Sequence, residues 1–328
     1  MEECSSSSKT VPVLFFIWSM DASVIKCFHR HRMYFQKRLT TAVFTAGLWL
    51  CGSQTTTLAA IFDFSNFPNA NGLTLVSDAT IVGNSLRLSS SNYSRAGAAY
   101  LSNMVNIADG FTVTFSFQIT DRHQLLDNGA ILSGSDVASG GDGLTFIVQN
   151  YAQNALGLAN SGIGYYGIPN SLAVEFDTWK NQKTTYCEPN NNHIAVQSLG
   201  TAANRPEHCA STDPADPFAN PNLGIYTPNA NMADGSIYQA KITYAPGSLK
   251  VFFVDLSNPV MDVALNLQTL LSLQEGTDAY IGFTSSTGGA WENHDLTSFS
   301  FANTPEPSTA LLLGFGLMVM VGGFSRRK

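Results

Sequence analysis

Basic residues are scarce in the central part of this chain of 328 residues. Nine of the 17 Lys and Arg residues lie within residues 1–60 and 304–328, which leaves eight between these ends, against 20 acidic residues and a formal net charge of −12. Such a charge repels the phosphate backbone, so we predict that nucleic acid is not a partner. Concentrated carboxylates instead favour divalent cations.

Long helical periodicity is also missing between residues 61 and 303. Short apolar or alternating runs recur there between turn residues. They predict strands over Ile61–Phe64, Leu73–Val76, Leu86–Leu88, Gly97–Leu101, Phe111–Ile119, Gly143–Gln149, Ser171–Thr178, His193–Gln197, Ile237–Tyr244, Leu249–Asp255, Ala279–Thr284 and Leu296–Phe301. No repeat or second domain is visible, so residues 61–303 are predicted to form one large β-sandwich. The irregular stretch Leu199–Asp234 is predicted to be a surface excursion.

The N-terminal segment has the order of a secretory signal peptide. Lys37 and Arg38 precede an apolar run from Leu39 to Cys51, and a polar stretch then ends in small residues at Ala60. We assign residues 1–60 as a leader, with Met33 as an alternative start of translation. The protein is therefore predicted to be exported.

The C-terminal segment, residues 304–328, combines Pro305-Glu306-Pro307 with an apolar run from Ala310 to Phe324 and three closing basic residues. One interpretation is a membrane anchor, although the run is short of the roughly 20 residues that a comfortable span needs. The order resembles the bacterial PEP-CTERM sorting signal. That resemblance implies processing by an exosortase, transient attachment to the inner membrane through the apolar helix, and a final location in the cell envelope or outside the cell.

Cysteine is rare once the leader is removed, because only Cys187 and Cys209 remain. Both lie in one polar stretch rich in Pro and Asn. An even pair in an oxidising compartment favours a disulfide, and two free thiols are the alternative. The neighbouring His208 could suggest a metal site with a thiolate. We predict that no such metal site is present, because no second Cys/His pair lies at zinc spacing.

Ligand-type side chains are concentrated in one segment. Glu175 and Asp177 are two residues apart on a predicted strand, so they face the same side and repel each other unless a cation or proton lies between them. Asn181 and Glu188 follow in the next loop, and His193 opens the next strand. An oxygen-rich set with one imidazole suits Ca²⁺ beside a transition ion such as Mn²⁺; a polar strand end with solvated acids is the alternative.

Three motifs in this order along the chain resemble those of the legume (L-type) lectins. They are Gly140–Phe146, then Val174–Asn181 with Glu188–Ile194, and finally Ile281–Gly288 with Glu292–Phe301. The resemblance covers roughly residues 60–303. It implies a concanavalin-like jelly-roll β-sandwich that binds carbohydrate without catalysis.

The resemblance also implies site residues, position by position. It assigns Mn²⁺ to Glu175, Asp177, Glu188 and His193, and it assigns Ca²⁺ to Asp177, Glu188, the Trp179 carbonyl and Asn181. It places carbohydrate against Asp142, Gly162, Trp179, Asn181, Thr287 and Gly288. It further implies a cis peptide at Gly141–Asp142, fixed by the Ca²⁺ shell. Two departures stand out, since Glu188 replaces the usual Asp and Asn160-Ser161 replaces part of a glycine run.

Two other functions compete with this interpretation. Laminarinase-like hydrolases carry an E-x-D-x-x-E strand, and retaining chemistry needs two carboxyls about 5 Å apart. Lys180 stands where the second glutamate would be, so we predict that the protein is not an enzyme. A structural matrix protein could keep the lectin fold without binding sugar. We predict instead a metal-dependent protein that binds glycans or exopolysaccharide.

Overall fold

The computed structural model describes residues 62–134, 140–181, 186–209 and 223–303. These residues form 17 strands and one short α-helix, α1 (Leu267–Leu270). The strands are β1 (Phe62–Phe64), β2 (Leu73–Ser77), β3 (Thr80–Val82), β4 (Ser85–Ser89), β5 (Ala96–Leu101), β6 (Val105–Asn106), β7 (Phe111–Leu125), β8 (Ile131–Ser133), β9 (Gly143–Gln149), β10 (Ser171–Asp177), β11 (His193–Gln197), β12 (Gly224–Tyr226), β13 (Ile237–Ala245), β14 (Ser248–Phe253), β15 (Met261–Val263), β16 (Asp278–Ser286) and β17 (Ala290–Asn303).

The strands form two antiparallel sheets. In the nine-stranded sheet the order is β15-β14-β13-β7-β17-β4-β3, with β1 beside β17 and β8 beside β7. In the eight-stranded sheet the order is β12-β11-β10-β9-β16-β5-β2, with β6 beside β16. The sequence prediction of an all-β sandwich is confirmed.

Aromatic side chains fill the space between the two sheets. Phe115 on β7 contacts Phe176 on β10 and Phe283 on β16, with ring centroids 5.5 and 5.0 Å apart. All three rings are buried. The alternation of β7 explains this core, because every second side chain of a strand points to the same face.

A second, smaller cluster covers the outer face of the eight-stranded sheet. Ile163 and Tyr165, from the loop between β9 and β10, pack with Ile147 of β9 and Ala173 of β10. This loop makes β9 and β10 buried on both faces, and every residue of the two strands is buried. Polar side chains at the ends of these strands are therefore held away from bulk water.

The stretch Leu199–Asp234 is more than the surface excursion that we predicted. Asn204, Glu207 and His208 within it are buried. The Asn204 amide donates to the carbonyl of Gln197 at 3.2 Å and to the hydroxyl of Ser171 at 3.2 Å, which ties the loop to β10 and β11. Residues 210–222 lie outside the described part of the chain.

Both predicted targeting segments, residues 1–60 and 304–328, also lie outside the described residues. Within the part of the chain that the structure describes, no helix has the length and apolar character to cross a membrane.

Candidate carbohydrate and metal site

Strand register places the predicted ligands side by side. Asp177, at the end of β10, is opposite His193 of β11 on one side and Gly143 of β9 on the other. Asp142 directly precedes β9, and its carbonyl accepts a hydrogen bond from the Thr178 amide at 3.2 Å. The predicted cis peptide at Gly141–Asp142 is present.

An inner cluster of three buried side chains lies behind this strand end: Glu175, His193 and His208. Glu175 Oε1 is 2.9 Å from His208 Nε2 and 3.6 Å from His193 Nε2. The two imidazole nitrogens are 3.1 Å apart. These atoms therefore converge on one point, as ligand atoms around an ion do.

Further hydrogen bonds orient the inner cluster. The Tyr165 hydroxyl donates to Glu175 Oε2 at 2.5 Å. His193 Nδ1 is 3.1 Å from the Asn190 carbonyl oxygen, an acceptor, so Nδ1 must carry a proton and donate it. In a neutral His193 the other nitrogen, Nε2, is then unprotonated and has a free lone pair. Such second contacts typically fix the orientation and tautomer of a metal-binding histidine.

His208 belongs to this cluster, although it was not among the predicted ligands. The predicted absence of a thiolate metal site agrees with the disulfide at Cys209, but a search for a second Cys/His pair could not find Glu175 and His193, which lie on neighbouring strands. The sequence did contain one signal for this position: His208 precedes Cys209 and Glu188 follows Cys187, so a disulfide between the two cysteines brings His208 close to Glu188. The structure confirms the predicted Cys187–Cys209 disulfide, with the two Cα atoms 5.1 Å apart.

An outer group of predicted ligands lies beyond Asp177. Asp177 Oδ1 accepts a hydrogen bond from the Trp179 amide at 2.7 Å. Glu188 accepts two hydrogen bonds from Asn181, from the backbone amide at 2.5 Å and from the side-chain amide at 3.0 Å. The glutamate that replaces the usual aspartate therefore reaches Asn181 directly.

Burial makes negative charge costly in the outer group. It raises the pKa of Asp177 and of Asp142 well above the ordinary aspartate range, and the Glu188 carboxylate adds to both shifts. Burial likewise raises the pKa of Glu188 to about 7. A bound divalent cation would offset this repulsion, so these oxygen ligands fit Ca²⁺.

The inner cluster behaves differently. Burial opposes ionisation of Glu175, but the imidazoles of His208 and His193 lower its pKa to about 2. Burial alone would lower the pKa of His208, whereas Glu175 raises it. Glu175 is therefore ionised at neutral pH and can bind a cation. Because the cluster also offers imidazole nitrogens, it fits a transition ion.

A surface cavity of about 450 Å³ opens beside the outer group. Its lining residues are Gln124, Leu125, Asp127, Asp142, Asn160, Ser161, Trp179, Asn181, Gly288, Gly289 and Ala290. Asp142 Oδ2 is buried and has no hydrogen-bond partner among the described residues. An unpaired buried carboxylate oxygen beside a cavity is a binding point for a hydroxyl group of a ligand.

The structure separates the predicted carbohydrate residues into two groups. Asp142, Trp179, Asn181 and Gly288 line the cavity. Gly162 and Thr287 do not, and the Thr287 hydroxyl instead bonds the backbone of Asn92 and Arg95.

Close packing explains why glycine stands at 288. A Cβ atom there would lie 3.1 Å from Asp142 Oδ2 and 3.1 Å from Asn160 Oδ1. A larger residue would crowd the carboxylate that faces the cavity. From the loop between β9 and β10, the residues that reach the cavity are Asn160 and Ser161 rather than Gly162.

Sequence reasoning also missed one wall of the cavity. Gln124, Leu125 and Asp127 come from the hairpin that joins β7 to β8. The turn sequence Asp127-Asn128-Gly129 was a signal for that hairpin. Trp291 does not line the cavity; it is buried and stacks on His123 with ring centroids 5.8 Å apart.

Comparison with known families decides how this arrangement should be classified. Residues 62–300 match the legume lectin β-barrel domain. The chain belongs to this lectin family. Members of the family are typically non-catalytic, and metal ions are common among them. Residues 303–328 match the PEP-CTERM protein-sorting motif, which indicates export and sorting to the cell envelope with processing by an exosortase.

Known lectins and lectin-like proteins resemble this lectin domain at low identity. The probable L-type lectin-domain containing receptor kinase VII.2 of Arabidopsis thaliana is 26% identical over 176 residues, which cover 50% of this chain and 24% of the kinase. The L-type lectin-domain containing receptor kinase IV.2 of the same plant is 25% identical over 260 residues, which cover 73% of this chain and 35% of the kinase. The chain thus matches a minor part of these relatives' length.

Solved structures show the same fold. The lectin from Bauhinia forficata in complex with GalNAc has a TM-score of 0.56 and 20% identity, over 76% of this chain and 99% of that chain. Lectin UEA-II complexed with galactose has a TM-score of 0.55 and 20% identity, over 75% of this chain and 100% of that chain.

The raised pKa values predict an unusual pH dependence for the metal-free protein. The pKa of Glu188 rises from 4.5 to about 7, so across this window the folded state binds more protons than the unfolded chain, and the free energy of unfolding falls as pH increases. The raised pKa values of Asp177 and His208 act in the same direction. We expect the melting temperature in chelator to decrease from about pH 5 to 8.

The control for this measurement is the protein saturated with Ca²⁺ and Mn²⁺. Bound cations replace the protons on the acidic groups, so the decrease should vanish or reverse. A metal-free melting temperature that increases across the window would contradict the assignment of buried, proton-binding acids.

Proposed function

We propose that this protein is exported and binds carbohydrate through a metal-dependent, non-catalytic site in the cavity beside Asp142. The buried, unpaired Oδ2 of Asp142 carries the proposal, because it faces the cavity that Trp179 and Asn181 also line. A carboxylate oxygen accepts hydrogen bonds from sugar hydroxyls, and the indole ring offers an apolar surface to a sugar ring.

Metal ions would act through the backbone around Asp142. Ca²⁺ would be held by Asp177, Glu188, Asn181 and the Trp179 carbonyl, and a transition ion such as Mn²⁺ by Glu175, Asp177, Glu188 and His193. The Asp142 carbonyl bonds the Thr178 amide, one residue from Asp177. A cation that fixes the position of Asp177 would therefore also fix, through this hydrogen bond, the backbone that places the Asp142 side chain at the cavity.

The proposed ligand is a glycan or exopolysaccharide of the cell envelope or surroundings. The sorting motif supports this location. A glycan array, probed with the metal-loaded protein and again in chelator, tests the proposal. Binding to a defined set of glycans that disappears in chelator is expected, and no specific binding under either condition would favour the structural matrix protein instead.

Chelation should also lower stability. A cation at a hundredfold excess over its dissociation constant stabilises the folded state by about 2.7 kcal/mol. At roughly 2–4 °C per kcal/mol for a domain of this size, removal of one ion lowers the melting temperature by about 5–10 °C. Differential scanning calorimetry with elemental analysis provides the measurement; an unchanged melt together with no bound divalent ion would refute metal dependence.

A further inference from the structure

The inner cluster contains one more nitrogen ligand than the ligand set of the proposed function uses. Glu175 Oε1, His193 Nε2 and His208 Nε2 form a triangle with edges of 2.9, 3.1 and 3.6 Å. Metal bonds of about 2.0–2.1 Å place neighbouring ligand atoms about 2.9–3.4 Å apart in octahedral or tetrahedral geometry. Two edges lie within this range and the third, at 3.6 Å, lies slightly above it, so the triangle is close in size to one face of a coordination shell.

We propose that His208 is a direct ligand of the inner ion, which adds a second imidazole to the inner ligand set and makes the site prefer zinc-like ions to Mn²⁺. The inference rests on the metal site of the proposed function, but it does not depend on carbohydrate binding. Imidazole suits Zn²⁺, Cu²⁺ and Ni²⁺, whereas sites made mostly of oxygen suit Mn²⁺, Mg²⁺ and Ca²⁺. A second imidazole therefore shifts the selectivity of the site.

The hydrogen bonds around the cluster define what coordination by His208 requires. Glu175 Oε1 has no partner in acceptable hydrogen-bond geometry among the described residues, although both imidazoles are near. His193 Nε2 and His208 Nε2 face each other and can share only one proton between them. On the far side of its ring, His208 Nδ1 lies 2.9 Å from the side-chain amide nitrogen of Gln197, which donates to it, so in a neutral ring Nε2 carries the proton. Coordination through Nε2 therefore requires the Gln197 amide to turn over, so that its oxygen accepts a hydrogen bond from a protonated Nδ1.

The disulfide explains how a residue of a long loop reaches this position. The His208 amide donates to the Tyr186 carbonyl at 2.7 Å, and the next residue of each segment, Cys209 and Cys187, closes the disulfide. Glu188 follows Cys187 directly. The same covalent bond therefore positions one ligand of each proposed ion, Glu188 for Ca²⁺ and His208 for the inner ion.

The arrangement has a metal-free alternative, in which a protonated His208 acts as the positive partner of Glu175. The two alternatives give different results in metal competition. The disulfide-intact protein and His208→Gln are stripped with chelator, dialysed against equal concentrations of Zn²⁺, Mn²⁺ and Ca²⁺, and analysed for metal content. Co²⁺-loaded samples are examined by visible absorption, because the intensity and position of the bands report coordination.

The parent is expected to bind Zn²⁺ at the inner site and to retain Ca²⁺. In His208→Gln we expect Zn²⁺ affinity to fall at least tenfold, Mn²⁺ and Ca²⁺ binding to change little, and the Co²⁺ spectrum to shift. His294→Gln is the matched control: His294 is equally buried and its Nε2 lies 3.3 Å from the carboxylate of Glu292. This control should keep the metal profile of the parent.

A second variant tests the role of the disulfide. Replacement of both Cys187 and Cys209 with Ser should reduce Zn²⁺ affinity as His208→Gln does. If the paired serines unfold the protein, His208→Gln still decides the assignment. An unchanged Zn²⁺ to Mn²⁺ ratio and Co²⁺ spectrum in His208→Gln would overturn the inference, as would a parent that binds Ca²⁺ but no transition ion. Failure of glycan binding with an intact metal profile would instead refute only the proposed function.

Discussion

Replacing Asp142 with Asn is expected to weaken glycan binding at least tenfold while the fold and the metal content stay close to those of the parent. The side chain keeps its size, which matters because the space beside Oδ2 is small: a Cβ atom at position 288 would lie 3.1 Å from it. In the metal-loaded protein, where the cations offset the cost of ionising Asp142, the substitution removes the negative charge that strengthens hydrogen bonds from sugar hydroxyls. A hydrogen bond to a charged group contributes about 1.5–3 kcal/mol. Since 1.4 kcal/mol corresponds to a factor of ten, one such bond accounts for the expected loss.

Asp121→Asn is the matched control for this measurement. It makes the same chemical change at an exposed position of β7, where a φ of 59° is one that Asn adopts readily. Titration calorimetry against the strongest glycan from an array should give the affinity of the parent for Asp121→Asn and a much weaker one for Asp142→Asn. Full affinity in Asp142→Asn would remove Asp142 from the sugar site even if the fold and the metals are as proposed.

The sequence predicted those parts of the fold in which hydrophobic periodicity and strand structure coincide. Each predicted strand overlaps a strand of the structure, and the alternation of Phe111–Ile119 marks the inner face of β7. The strands it missed, such as β3 and β8, have only three residues and lie at sheet edges, where few apolar contacts are made. So short a run does not produce a detectable period.

The ends of β7 and β17 were missed for a different reason. The two strands continue to pair beyond the core, with His123 opposite Trp291 and Gln124 opposite Ala290. Polar residues in both segments interrupt the apolar alternation, so the pattern predicted that both strands were shorter. This extension carries Gln124 and Leu125 to the cavity, which is why one wall of the candidate site was absent from the sequence prediction.

Site residues were predictable where neighbouring strands or a recognised motif fixed them. Asp142, Asp177 and His193 come together because adjacent strands place them in register. His208 reaches the same site from a loop, which the disulfide, the hydrogen bond of the His208 amide to Tyr186 and the buried contacts of Asn204 hold in place. Neither the spacing of these residues along the chain nor the hydrophobic periodicity predicts that His208 lies beside Glu175 and His193.

Replacing Asp177 with Asn is expected to remove metal and carbohydrate binding together. Asp177, like Glu188, is a proposed ligand of both ions, and an amide is a far weaker ligand for divalent cations than a carboxylate. Asn can keep the hydrogen bond from the Trp179 amide, so the local backbone has its normal acceptor. We expect metal content near zero by elemental analysis and a loss of glycan affinity of at least a hundredfold, larger than for Asp142→Asn.

The melting temperature of Asp177→Asn distinguishes a loss of metal binding from simple unfolding. Its difference from the melting temperature of the parent is expected to change sign between chelator and added metal. Burial raises the pKa of Asp177 well above its ordinary range, so an ionised Asp177 is costly in the metal-free fold, and the neutral Asn removes that cost. In chelator at neutral pH, Asp177→Asn should therefore melt at or above the temperature of the parent. With Ca²⁺ and Mn²⁺ present it should melt below the parent, because only the parent gains stability from bound ions. A variant that melts far below the parent in chelator would show a structural defect, and one that retains both ions would show that Asp177 does not bridge them.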